Sequence, residues 1–241
     1  MHPQPVATMP YAPVRPIRPV RGLAITVITL LGVNALADLF ALVAAFERVS
    51  VVSALMEDPS SVEMAKAEAS DSLYALGALV QMATYLITAI VFMIWLFRAR
   101  SNAEAMMDVP HRRHAAWIIF GWSMPIVSFW FPRQIVDDIW TTSWLGSRGI
   151  TTLSGLTLST IRRPRLVLAW WLLWIAGMYV PNLIYRFLAP GDDLQSYLTA
   201  ARTEIIFTGP VLACAVLAGM IVWKITDFQE RRRQAGPLSH W

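Results

Sequence analysis

Apolar residues run almost without interruption through residues 23–46, 73–97, 166–188 and 205–225, and the charged residues gather between these runs. Each run reaches the roughly 20 residues that cover a hydrocarbon layer about 30 Å thick at 1.5 Å of helical rise per residue. A backbone in hydrocarbon must satisfy its own hydrogen bonds, so the runs predict helices. The chain is therefore expected to be an all-α membrane protein with four transmembrane helices arranged as two hairpins. Glu47, Glu57, Asp58, Glu63, Glu68 and Asp71 make the first loop between runs acidic, with room for a short helix over residues 61–71. Residues 189–202 form the corresponding loop of the second hairpin. Ala37, Ala41 and Ala45 in the first run, and Gly209 with Ala213 and Ala215 with Gly219 in the last, repeat at the spacing of small residues that lets helices approach closely.

Residues 117–131 do not fit this pattern. They are apolar, but fifteen residues make only about 22 Å of helix, and Pro125 interrupts them. Charge decides between a kinked full span and an element that enters and leaves on one side. Sixteen of the twenty Lys and Arg residues fall in four clusters: Arg15 to Arg21, Arg98 to Arg113, Arg133 to Arg165, and Lys224 to Arg233. Four spans place all four clusters on one side, which the positive-inside bias makes cytoplasmic, with both termini. A fifth span would carry Arg133, Arg148, Arg162, Arg163 and Arg165 across, so residues 117–144 are read as a short Pro-broken re-entrant or interfacial segment followed by an amphipathic helix. That helix has Ile135, Val136, Ile139 and Trp140 on one face and Arg133, Gln134, Asp137 and Asp138 on the other, with Pro132 in its first turn. It is expected to lie along the interface with both aspartates toward water or the 98–102 turn.

Composition narrows the class. Hydrophobic residues make up 56% and charged residues 15%, well below the quarter usual in soluble domains. The net charge of +4 points to anionic lipids met by the basic clusters and not to nucleic acid, since no helix carries the arginines as a continuous face. Residues 1–21 hold six of the fifteen prolines and are expected to be a disordered Pro/Arg-rich cytoplasmic tail, in which Arg15, Arg18 and Arg21 would share one edge of a polyproline II helix. Residues 22–226 then form a single polytopic domain and 227–241 a basic cytoplasmic tail, and the expected location is the cell's inner membrane. Cys214 is the only cysteine, so no disulfide or cysteine-based metal site can form. No cofactor is expected.

The string GWSMPIVSFWFPRQIVDDIW at residues 121–140 resembles the signature of a bacterial family of multi-span membrane proteins catalogued as domain of unknown function 4328. The upstream WLFRARSNA at 95–103 is similar to that family's companion element, an aromatic helix end followed by a basic turn and an Asn. The resemblance covers roughly residues 22–225 and implies membership without an activity.

Asp38 is the one carboxylate inside an apolar run, with Asn34 a turn earlier and Gln81, Thr84 and Thr88 as candidate partners on the second run. An ionisable residue at that depth is expensive, so Asn34, Asp38 and Gln81 are the ligand or ion candidates, against a purely structural contact between the first two helices. Asp137 and Asp138 point about 100° apart on a helix and are poorly placed to act on one atom. Arg133 and Asp137 have the spacing of an ion pair. His111 and His114 flank two arginines that would repel a metal ion. Trp122, Pro125, Trp130, Pro132, Arg133, Asp137, Asp138 and Trp140, with Arg98 and Asn102, are the candidate interaction surface. No catalytic motif is present. The leading expectation is a non-catalytic interaction or regulatory component that uses this surface. The alternatives are a small transporter or channel component using Asp38, and a lipid-acting enzyme using Asp137 or Asp138.

Overall fold

The computed structural model describes residues 16–153, 155, 157–161 and 163–236; Arg15, Arg162 and the rest of both tails lie outside the described residues. Six α-helices follow in order: α1 Arg21–Glu57, α2 Met64–Met106, α3 Trp117–Ser123, α4 Phe131–Gly146, α5 Arg165–Leu188 and α6 Leu194–Gln234, with a single 3₁₀ turn at Val127–Phe129. Four of them, α1, α2, α5 and α6, are long and apolar enough to cross a membrane. Side chains such as Leu36, Val43, Leu79, Leu86, Leu183 and Ile206 stand exposed along them, a belt too apolar for water.

The helices outrun the apolar runs. α1 continues to Glu57, α2 begins at Met64 and α6 at Leu194, so the expected loop of 189–202 shrinks to 189–193 and the short helix over 61–71 becomes the start of α2. An ion pair between Arg48 of α1 and Asp71 of α2, 2.9 Å, ties the extended turns together. α1 packs along both α2 and α6, and α6 along α5. Where Gly77 faces Ala41, an added Cβ would stand 3.3 Å from the Ala41 Cα, so the small residues of α1 serve a close α1–α2 contact within one chain.

The bundle's basic end carries Arg21, Arg98, Arg165 and Lys224, and there the expected tail is corrected. Pro16 to Val20 are fixed, not disordered. The Asn102 amide accepts from the Arg18 N–H at 2.9 Å and donates to the Arg18 carbonyl at 2.8 Å. No side chain caps α1 from within its own sequence. The Glu230 carboxylate does so from α6, accepting the Val20 and Arg21 N–H groups at 3.0 and 3.2 Å. A carboxylate at a helix N-terminus also meets the favourable end of the helix dipole.

α3, the 3₁₀ turn and α4 form a hairpin that enters from the basic end and returns to it. Its tip reaches Tyr179, fourteen residues into α5, where the Ser128 hydroxyl and the Tyr179 hydroxyl hydrogen-bond and Tyr179 also donates to the Pro125 carbonyl at 3.4 Å. α4 ends over Met106, where Gly146 leaves no room for a Cβ: one would stand 2.8 Å from the Met106 Cβ. The segment thus leaves and returns to the same end of the bundle. The expectation that α4 lies flat at an interface is corrected: eleven of its sixteen residues are buried, and Ile135, Val136 and Ile139 join Trp95, Leu96, Ile118, Val222 and Ile225 in the main core. An amphipathic pattern fits a central helix equally well when another protein segment covers its polar face, and residues 107–116 do so here.

Candidate functional site

The core fills the basic half of the bundle. Toward the far end the helices part around a cavity of about 800 Å³ between α2 and α5, with α1 and α6 behind it. Its walls are apolar and aromatic, including Phe92, Trp170, Trp174 and Phe207. Trp122, from the hairpin, closes the end nearest the core, with its ring 5.2 Å from Trp174 and 5.9 Å from Phe92 in edge-on contacts. Met82, Leu86 and Met178 at the rim are exposed.

The polar residues gather at the back. Asp38 of α1 is 2% exposed; Tyr85 of α2 donates to both its oxygens at 2.9 and 3.0 Å, and the Gln81 amide donates to its Oδ1 at 3.1 Å. The same Gln81 Nε2 lies 3.0 Å from Glu204 Oε1 on α6, so one amide nitrogen bridges two carboxylates from different helices. One turn along, Thr88 donates to the Asn34 carbonyl oxygen at 3.2 Å. Thr84 turns to its own backbone instead. The sequence candidates Asn34, Asp38 and Gln81 are thus brought together. Tyr85 and Glu204 were missed: the first reads as one more ring in an apolar run, and the second falls beside the stretch expected to be a loop. The signal for Glu204 was its spacing of four from Thr208 and seven from Tyr197, which puts all three on one helical face.

Two turns nearer the far end, Arg48 sits with its guanidinium carbon 4.6 Å from the Tyr74 ring centre and 4.8 Å from that of Tyr197. This cation–π layer stands between the far end and the carboxylates.

The interaction-surface candidates do not form one surface. Trp122 lines the cavity, Pro132 and Asn102 are buried, and Trp140 packs edge-on against Phe228 at 5.5 Å. Trp130 and Pro125 are the exposed ones among them. Asp137 and Asp138 are each 2% exposed, and neither meets Arg98, Arg100 or Asn102. Arg112, which the sequence reading passed over beside the histidines, folds back onto Asp138: its Nε and Nη2 both lie 2.7 Å from Oδ1, and its backbone N–H donates to Oδ2 at 2.9 Å. Asp137 has Arg133 at 3.6 Å and Arg112 at 4.0 Å, but neither of its oxygens accepts a hydrogen bond among the described residues. Burial accordingly pushes its carboxyl up to about 6 against the pull of the two arginines. Burial likewise holds the nearby His111 below its ordinary value, opposed by Asp138.

A family model matches residues 58–227. The chain belongs to the family described as domain of unknown function (DUF4328). The DUF4328 match takes in α2, the hairpin, α5 and all but the end of α6, and therefore Gln81, Tyr85, Glu204, Arg112 and Asp138. It begins later than the sequence resemblance implied, so α1 with Asn34 and Asp38 precedes the matched region. Neither a curated protein nor a solved structure matches the chain.

Proposed function

We propose that this multi-pass membrane protein binds a ligand drawn from the bilayer and holds it in the cavity between α2 and α5, as a carrier or receptor component and not as an enzyme. The observation that carries this is the set of Asp38, Gln81, Tyr85 and Glu204 at the back of a cavity walled mainly by apolar and aromatic groups. Carboxylates in a membrane bundle are costly and concentrate where they face a ligand or a proton path. A few convergent polar groups within an apolar pocket are also the usual form of a small-molecule site. In this reading the basic end faces the cytoplasm of the cell membrane, with its arginines at anionic headgroups.

The α4 helix is less suited to recognising a partner, because Asp138 is matched by Arg112 inside the protein and the helix's apolar stripe is spent on the core. A lipid-acting enzyme built on Asp137 or Asp138 has the same difficulty, since both carboxylates are covered and faced by arginine. Native mass spectrometry of protein released from mild detergent tests the cavity. Wild type is expected to retain a small amphiphile that Ala89→Trp, which fills the cavity mouth, loses. Equal retention by the two proteins would overturn the reading.

A further inference from the structure

We infer that the cavity takes a lipophilic amine, with its ammonium nitrogen between Asp38 and Glu204 and its chain leaving between α2 and α5. This rests on the reading of the cavity as a ligand site and names what that site accepts.

Charge gives the first argument. Among the described residues lining the cavity there are two carboxylates and no Lys, Arg or His. What faces the carboxylates is a neutral amide and a neutral hydroxyl, so the negative charge of Asp38 and Glu204 is hydrogen-bonded without being balanced. The charge on Arg48 is engaged elsewhere, by Asp71 and the two tyrosine rings.

Geometry gives the second. Gln81 Nε2 stands 3.1 Å from Asp38 Oδ1 and 3.0 Å from Glu204 Oε1, which marks a point where one nitrogen reaches both carboxylates at hydrogen-bond distance. A primary ammonium displacing that amide would bring three donors and a full positive charge to the same two oxygens. Bare metal ions suit the spacing poorly, because calcium or magnesium takes six or more oxygens at about 2.0–2.6 Å.

The walls give the third. Trp122, Trp170 and Trp174 present a ring system that tolerates a cation and packs against alkyl chain. The exposed rim of Met82, Leu86 and Met178 offers hydrocarbon a way in. A hydrated inorganic cation would lose its water along such a rim and gain little in return.

The test uses the full chain in nanodiscs of zwitterionic phosphatidylcholine, read by tryptophan emission, with dodecylamine, dodecanol and dodecanoate as probes of equal chain length near pH 7. Dodecylamine is expected to change the emission saturably and to bind at least about tenfold more tightly than dodecanol, with dodecanoate weaker still. Asp38→Asn and Glu204→Gln should each weaken the amine about tenfold and leave dodecanol unchanged. Alcohol or carboxylate binding as tightly as the amine would overturn the ammonium assignment while leaving the cavity a ligand site. Absence of saturable binding by all three would overturn both. Retention of the full amine preference in both variants would also overturn the assignment. The wild-type comparison of amine with alcohol decides the matter even where a variant fails to fold.

Discussion

The buried polar groups of the basic end and those of the cavity are built from the same residue types and settled in opposite ways. At the basic end, Asp138 meets Arg112 through a fork and a backbone N–H, Glu230 caps α1 and takes Arg233 at 2.7 Å, and Gln229 donates to the Ala99 carbonyl and the Ser143 hydroxyl while accepting from Asn102. Charge meets charge there, and van der Waals packing fills the rest. In the cavity Asp38 and Glu204 share one amide donor, none of the described residues lining the space is a cation, and the helices stand apart. The first arrangement fixes a fold. The second leaves electrostatic demand unmet, which is the condition for a ligand to bind with net gain. Substitutions at the two ends should therefore differ in what they damage.

The largest effect is expected from Asp138→Ala. It leaves the Arg112 guanidinium beside a protein core with its carboxylate gone, and breaking such a pair typically costs about 3–5 kcal/mol. Because Arg112 retains some exposure, the lower end of that range is expected, read as a lowered unfolding midpoint in detergent or nanodiscs. An unchanged midpoint would mean that the basic end is not the scaffold. Asn102→Leu comes next. It strands the Arg18 N–H and carbonyl and one acceptor of Gln229, for a loss of about 2 kcal/mol and faster tryptic cleavage after Arg21 as the start of α1 comes loose.

Asp137 sharpens the comparison, since among the described residues it is a buried basic-end carboxylate without a hydrogen bond. Its carboxyl lies near 6 in the folded protein against 3.8 ordinarily, because burial outweighs Arg133, Arg112 and Arg163, with Asp138 adding to the rise. A raised folded value means that the folded state binds the extra proton. The stabilisation is fully present below about 4 and is lost as pH rises through about 6. Acidifying from about pH 8 to about pH 5 should therefore add about 1.4 kcal/mol of stability to wild type relative to Asp137→Asn. Comparing the two proteins cancels every other titration they share. Parallel pH profiles would show that Asp137 is charged and tolerated in the folded protein.

Much of this was readable in the sequence, and each failure has a physical cause. Apolar run length placed the four long helices, and charge segregation gave a segment that enters and leaves at one end. Asn34, Asp38 and Gln81, which the structure brings together, stood out because a polar residue within an apolar run has few places to go. Part of what was lost lay at a helix boundary and the rest in long-range contacts. Glu204 was missed because helix propensity continues past the apolar run, and hydropathy does not record where a helix starts. Arg112 was missed because its partner is 26 residues away and the loop between leaves no periodic trace. The burial of α4 was misread because one hydrophobic stripe serves a lipid interface and a protein core alike. Only the fold of residues 107–116 over the polar stripe distinguishes them.

The smallest stability effect is expected at Asp38, and its smallness is what would separate the two regions. Asp38→Asn keeps the shape and one acceptor for Tyr85 and Gln81 while removing a charge that the apolar surroundings disfavour. It also ends the like-charge repulsion with Glu204, whose oxygen lies on the other side of the same amide nitrogen. The charge-assisted strength of the Tyr85 bond is lost at the same time, and these opposing changes should leave the unfolding free energy within about 0.5 kcal/mol of wild type. Thermal unfolding of Asp38→Asn beside Asp138→Asn measures this directly, because the two substitutions are chemically identical and both carboxylates are 2% exposed. Equal losses at the two positions would make Asp38 a second scaffold contact and remove the distinction between the matched end and the open cavity. A loss confined to Asp138→Asn would mean that the Asp38 carboxylate is held for something other than stability.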